Sequence, residues 1–143
     1  MITHLGHAAV RVSDLEASLR FYVDVLGLKE AFRLFTPEGA TATVYLIIAP
    51  HQFLELFPNG KRRVEIDGAT IGLAHLCLEV EDIEAAYAAV KERGAPLDTG
   101  IITGKAKCLQ FWTHDPDGNR VELMALPPES YQAQAAARLF PDA

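Results

Sequence analysis

Two stretches of this 143-residue chain begin alike: HAAVRVSDLEAS from His7 and HLCLEVEDIEAA from His75, 68 positions apart. His, Val, Asp, Glu and Ala recur in step. Each stretch then runs through a helical pattern to a glycine, Gly27 in the first and Gly94 in the second. Farther on, FLELF (53–57) lies over RVELM (120–124), placing Glu55 over Glu122 at a shift of 67. His7 and Glu55 are 48 residues apart, and His75 and Glu122 are 47 apart. An internal repeat of this kind means that one supersecondary unit is built twice, so whatever fold one copy takes the other must take too.

The first copy reads as strand, helix and then three strands. Ala8, Val10 and Val12 alternate with His7, Ala9 and Arg11, the two-residue period of a half-buried strand. Ser13 is placed to cap the following helix, with Glu16 completing a capping box. Leu15, Leu19, Tyr22 and Leu26 fall on one helical face, and Gly27 supplies the left-handed residue that ends it. Strands are expected at about 30–35, 41–49 and 52–57. In the second copy Leu76, Leu78 and Val80 alternate against His75, Cys77 and Glu79. Ile83, Tyr87 and Val90 mark the helix face, and strands are expected at about 97–102, 106–113 and 119–125. The polar, glycine-containing stretch 58–72 reads as a linker between module 1 (about 3–57) and module 2 (about 73–126). A C-terminal helix is expected at about 128–140, its alanines suited to docking, all within a single domain spanning 1–143.

The period of two also sorts the polar residues. His7 and His75 point away from the aliphatic side of their strands. Glu55 travels with Phe53 and Phe57, and Glu122 with Arg120 and Met124. All four therefore lie on sheet faces turned from the helices. Two imidazoles and two carboxylates suit a borderline divalent ion such as Zn, Ni, Co, Mn or Fe. Cys77 and Cys108 lack metal-type spacing and read as free thiols of a reducing compartment, the cytoplasm. Arg11 shares the face of His7, and Lys105 and Lys107 flank a strand start where they can meet a substrate carboxylate. His4, His51 and His114 have no counterpart in the repeat and read as loop or surface residues. Asp115 and Asp117 belong to a turn, DPDGN. A formal charge of −6 argues against nucleic acid or an anionic membrane as partner. No apolar run approaches the roughly 18 residues of a membrane span.

The stretches HAAVRVSDLEASLRFYVDVLGL, AHLCLEVEDIEAA and DPDGNRVELM resemble the vicinal oxygen chelate superfamily, which groups glyoxalases, bleomycin-resistance proteins and extradiol dioxygenases. The resemblance covers about residues 3–126 and is nearest to glyoxalase I-like proteins. It implies an α+β fold of two βαβββ modules forming an incomplete barrel, helices outside, around a metal-binding cleft. It implies one divalent ion per site on His7, Glu55, His75 and Glu122. Glu122 would be the main catalytic base and Glu55 its pseudo-symmetric partner, moving a proton through a metal-chelated enediolate. Arg11 and Asn59 match positions that hold the γ-glutamyl end of glutathione, and GKAKCLQF resembles the loop over the site. The segment before His75 lacks the arginine that some glyoxalases use for the glycyl carboxylate, so another thiol adduct stands beside glutathione as a substrate. A homodimer is the family's usual assembly. An Fe(II) extradiol-type dioxygenase, an acyl-CoA epimerase and a drug-sequestering protein are the alternatives, although epimerases typically carry glutamine at the Glu55 position.

Overall fold

The computed structural model describes residues 2–141. The chain divides between Glu65 and Ile66 into two compact units. In the first, β1 (His7–Arg11) leads into α1 (Leu15–Leu19), a π-helical segment (Arg20–Val25), then β2 (Lys29–Phe35), β3 (Thr41–Ala49) and β4 (Gln52–Phe57). In the second, β5 (Leu76–Glu79) leads into α2 (Ile83–Glu92), β6 (Ile102–Thr103), β7 (Leu109–His114), β8 (Arg120–Ala125) and α3 (Tyr131–Leu139). Each unit is an open four-stranded mixed sheet, ordered β1-β4-β3-β2 and β5-β8-β7-β6. The first strand pairs parallel with the last, and the other pairs are antiparallel. The α+β class and the duplicated βαβββ order are thus those expected. No described helix is long and apolar enough to cross a membrane.

Burial follows the alternation in β1, whereas the last strand of each sheet is buried on both faces at Leu54, Glu55 and Leu56 and from Val121 to Ala125. β1 shows exposed and half-buried residues in strict turn, with His7, Ala9 and Arg11 on the open side. Val12, Leu19, Tyr22, Val44, Leu46, Leu54 and Leu56 form the core of the first unit. Leu78, Ile83, Val90, Phe111, Val121 and Leu123 form that of the second, where the Tyr87 ring meets Phe111 edge-on at 5.2 Å. Gly27 (φ 83°) and Gly94 (φ 79°) both take the left-handed conformation that ends a helix.

Five local expectations change. The cap of α1 is Asp14, not Ser13: its carboxylate accepts from the Ala17 amide at 3.0 Å, and Asp82 caps α2 with the same backbone angles. The first helix does not stay α-helical to Gly27, because it widens into π winding from Arg20, which lets the adjacent Phe21 and Tyr22 both turn inward. The strand expected at 97–102 is reduced to a single bridge at Leu97 and to β6. There, side chains replace ladder bonds: the Thr113 hydroxyl donates to Pro96 O at 2.6 Å, and Thr99 Oγ1 accepts from the Trp112 amide at 3.1 Å. β7 starts at Leu109 because residues 104–107 form a tight turn, with Lys107 left-handed (φ 61°). Lys105 and Lys107 therefore sit in that turn. Finally, α3 begins at Tyr131, capped by Ser130, with Ala133 and Ala135 half-buried and none of its residues fully buried.

Candidate functional site

In the first unit, the parallel register sets Ala9 opposite Glu55 and His7 opposite Phe53. His7 thus stands two residues along from Glu55 on the neighbouring strand, and its Nε2 lies 3.7 Å from Glu55 Oε2. In the second unit, Cys77 stands opposite Glu122, and His75, one residue before β5, brings Nε2 to 3.1 Å from Glu122 Oε2. The side chains of Glu55 and Glu122 are only 6% and 10% exposed, whereas His7 and His75 are 53% and 35% exposed. A carboxylate that deep is costly without donors.

The donors differ between the units. Tyr45 lies opposite Glu55 across β3 and β4, and its hydroxyl donates to the Glu55 carboxylate. That bond, followed by burial and the negative charge, holds the phenol above its usual pKa. The matching place in the second unit, opposite Glu122, is taken by Trp112. Its ring meets His75 edge-on at 4.9 Å and carries the Arg120 guanidinium at 4.2 Å on its face. There the Cys77 thiol hydrogen-bonds Glu122, and burial first, then the Glu122 charge and this bond, push it up to about 12. Tyr45 belongs to an aromatic group, stacked on Phe32 at 4.3 Å and edge-on to Phe53 at 6.2 Å and His7 at 6.5 Å.

The remaining candidates fall around these pairs. Arg11 ends β1 with its guanidinium 5.3 Å from the Phe57 ring centroid. Asn59 follows β4 at the same end of the sheet, in the left-handed conformation (φ 66°). The next residue, Gly60, is confined there: a Cβ would stand 3.2 Å from Val12 O and 3.3 Å from Arg11 Cγ. Lys105 is exposed in its turn, and the Lys107 ammonium lies 5.3 Å from the Tyr131 ring centroid. His114 closes β7 and pairs with Asp98 at 2.8 Å, so it is a surface residue as expected, on a strand and not in a loop. The Asp115 carboxylate, 1% exposed, accepts from the amides of Asp117 and Asn119, the turn role expected of it. Tyr45 was missed as a site residue. Its face follows from the period of β3, but its position opposite Glu55 depends on a register that no local pattern encodes.

Each pair offers an imidazole nitrogen and a carboxylate oxygen on the same face. Two donors on one ion, at bond lengths of about 2.0–2.2 Å, stand roughly 3–3.4 Å apart. The 3.1 Å separation of His75 and Glu122 falls within that interval and the 3.7 Å of His7 and Glu55 just beyond it, within reach of a side-chain rotation, so the residues fit a borderline divalent ion. Each unit supplies two donors. No group of three or more His, Cys, Asp or Glu side chains able to hold an ion occurs among the described residues.

The chain is 31% identical over 142 residues to lactoylglutathione lyase of Schizosaccharomyces pombe, covering 85% of this chain and 47% of that protein. It thus spans about half the length of that relative. It is 33% identical over 100 residues to the ethylmalonyl-CoA/methylmalonyl-CoA epimerase of Cereibacter sphaeroides, covering 66% of this chain and 74% of the relative. Among solved structures, the glyoxalase family protein of Enterococcus faecalis superposes with a TM-score of 0.72 at 27% identity, covering 85% of this chain and 96% of that one. The sequence profile of the glyoxalase/bleomycin resistance protein/dioxygenase superfamily matches residues 4–123, the stretch that holds both His–Glu pairs. With the duplicated fold, this places the chain in that superfamily.

Proposed function

We propose that the protein is a metal-dependent, glyoxalase I-like isomerase or lyase that moves a proton between adjacent carbons of a small α-oxo/thiol adduct. The observation that carries this reading is the recurrence of a buried glutamate beside a more exposed histidine in both units. His7, Glu55, His75 and Glu122 would hold one divalent ion: Zn, Ni, Co, Mn or Fe. Bound there, the ion supplies Lewis-acid stabilisation of negative charge developing on the substrate oxygens. Glu122 takes the proton from one carbon and returns it to the next, with Glu55 as its pseudo-symmetric partner. No oxidant is needed, because the proton and the electron pair stay within the substrate. Arg11 and Asn59, together at one end of the first sheet, bind the polar end of a glutathione or other thiol. Lys105 and Lys107 meet a substrate carboxylate from their turn. The working form is a homodimer in the cytoplasm.

The test is turnover of methylglyoxal with a panel of thiols, glutathione among them, by metal-stripped protein reloaded with each ion. Glu122→Gln is expected to lower turnover by about 10²–10⁴-fold, the usual contribution of a positioned general base. Glu55→Gln should also weaken metal binding. Unchanged metal content and turnover in both variants would sink the constellation. The Cereibacter relative favours a second reading, epimerisation of an acyl-CoA thioester by the same proton movement. Deuterium exchange into methylmalonyl-CoA, without turnover of any thiol adduct, would establish that reading instead.

A further inference from the structure

The repeat that sets Glu55 over Glu122 also sets Phe53 over Arg120. Their strand neighbours match in place but not in kind: Ile47 stands opposite Phe53, and His114 opposite Arg120. Where the first unit has two apolar residues, the second has a guanidinium and an imidazole. Arg120 lies two residues before Glu122 on β8, and Trp112 stands opposite Glu122 on β7. The two-residue period of a strand therefore puts Arg120, Trp112 and His114 on the face that holds the His75–Glu122 pair.

Arg120 is exposed, and its guanidinium lies 4.2 Å from the Trp112 ring centroid. The same ring meets His75 at 4.9 Å, so one indole separates the cation from the His75–Glu122 pair. Among the described residues no carboxylate pairs with Arg120. Asp98, the acid beside this end of β7, is taken by His114 at 2.8 Å. Stacking on the indole directs the guanidinium and leaves its N–H edge for a planar, bidentate acceptor. Carboxylate is the acceptor that this fork matches. Lys105 and Lys107 cannot serve the same group, because their turn precedes Leu109, which pairs with Ala125 at the other end of β7 and β8.

We infer that Arg120, stacked on Trp112, is a carboxylate-binding subsite on the open face of the second sheet, and that the substrate carries a carboxylate a few bonds from its reacting carbons. This deepens the proposed function and rests on it for which carbons react. A carboxylate on the thiol half, as in glutathione, and one on the acyl half, as in a malonyl-type thioester, offer Arg120 the same chemistry.

The experiment reads Trp112, the single tryptophan of the chain, in full-length protein stripped of metal. Its fluorescence is titrated with methylmalonate, S-methylglutathione and the uncharged methylmalonamide at constant ionic strength, with sodium chloride as the control for an adventitious ion. At least one carboxylate should give a saturable change, and the one that does names the half of the substrate bearing the group. Arg120→Met, which keeps an apolar stem on the ring, should weaken that binding about tenfold or more, the usual loss for a charge-assisted bond. Arg120→Lys should restore part of it. Line broadening of the carbon-13-labelled carboxylate measures the same affinities without relying on the indole. No saturable response to either carboxylate, an equal response to chloride or the amide, or unchanged affinity in Arg120→Met overturns the inference. So does loss of binding in Lys105→Met/Lys107→Met with Arg120 intact, which would put the carboxylate at the far end of the sheet. No ion is present in these titrations, so their outcome stands whether or not the protein binds metal or turns over a thiol adduct.

Discussion

The span from histidine to glutamate is one residue longer in the first unit than in the second, and the structure shows where the extra residue went. From cap to cap, the first helix runs from Asp14 to Leu26 and the second from Asp82 to Arg93. The Asp caps are 68 residues apart, but Gly27 and Gly94, like Glu55 and Glu122, are 67 apart. The surplus residue is therefore within the helix, where α winding gives way to π winding over Arg20–Val25. A π turn takes one residue more than an α turn for nearly the same advance, so an insertion is absorbed without moving the strands that follow. Two copies of one plan thus reach the same sheet by different windings, and the His–Glu pairing survives in both.

The largest expected effect comes from removing one residue from each helix in turn. Deleting exposed Ala88 from α2 turns Val90, 4% exposed, by roughly 100° away from the core, since each helical residue adds that rotation. A loss of about 2–4 kcal/mol is expected, comparable to emptying a buried aliphatic site. Deleting exposed Asp24 should instead let the π segment rewind as α-helix, at a cost below about 1 kcal/mol. Urea unfolding of both variants checks this, and equal losses would break the comparison. A second contrast lies in the caps. Asp82 accepts from two amides, Glu84 and Ala85, and Asp14 accepts from Ala17. Both Asp→Ala changes should cost about 1 kcal/mol, Asp82→Ala the more.

The smallest effect is an ion pair that belongs to the first unit alone. The Arg33 guanidinium, 2.7 and 2.8 Å from the Glu30 oxygens, holds the Glu30 carboxyl below its ordinary value. A depressed carboxyl pKa contributes stability that is fully present above the unfolded value, 4.5, and is lost as pH falls through the folded one. Both side chains are about one-third exposed, so solvent screening keeps the contribution below about 1 kcal/mol. Glu30→Gln should flatten the acid limb of thermal stability slightly and leave the melting temperature near neutrality within a degree or so.

The repeat made much of this legible beforehand. Period-two alternation put His7 with Glu55, and His75 with Glu122, on a shared face of each sheet, and the glycines marked both helix ends. The repeat also held an unused clue. Asp14 lies over Asp82 whereas Ser13 lies over Glu81, so the shared residue, not the better capping box, was the cap. The strand expected at 97–102 came out shorter because the Thr99 and Thr113 side chains satisfy backbone groups there, which looks like strand composition in a window. The partners of the glutamates were hidden for another reason. Tyr45 and Cys77 reach them through inter-strand register, set by the turns and the core of each sheet as a whole.

The parallel pairing of the first and last strands has a consequence for the order of events in folding. His7 meets Glu55 only when a loop of 48 residues has closed, and His75 meets Glu122 only after one of 47. The hairpins β3-β4 and β7-β8 cost far less chain entropy, so they can form while the histidines are still distant. A chain arrested with its hairpins made and its first strand undocked would hold no chelating pair at all. An ion that binds these pairs would therefore favour the finished sheet over every partly folded form, and would slow unfolding at the docking of the first strand.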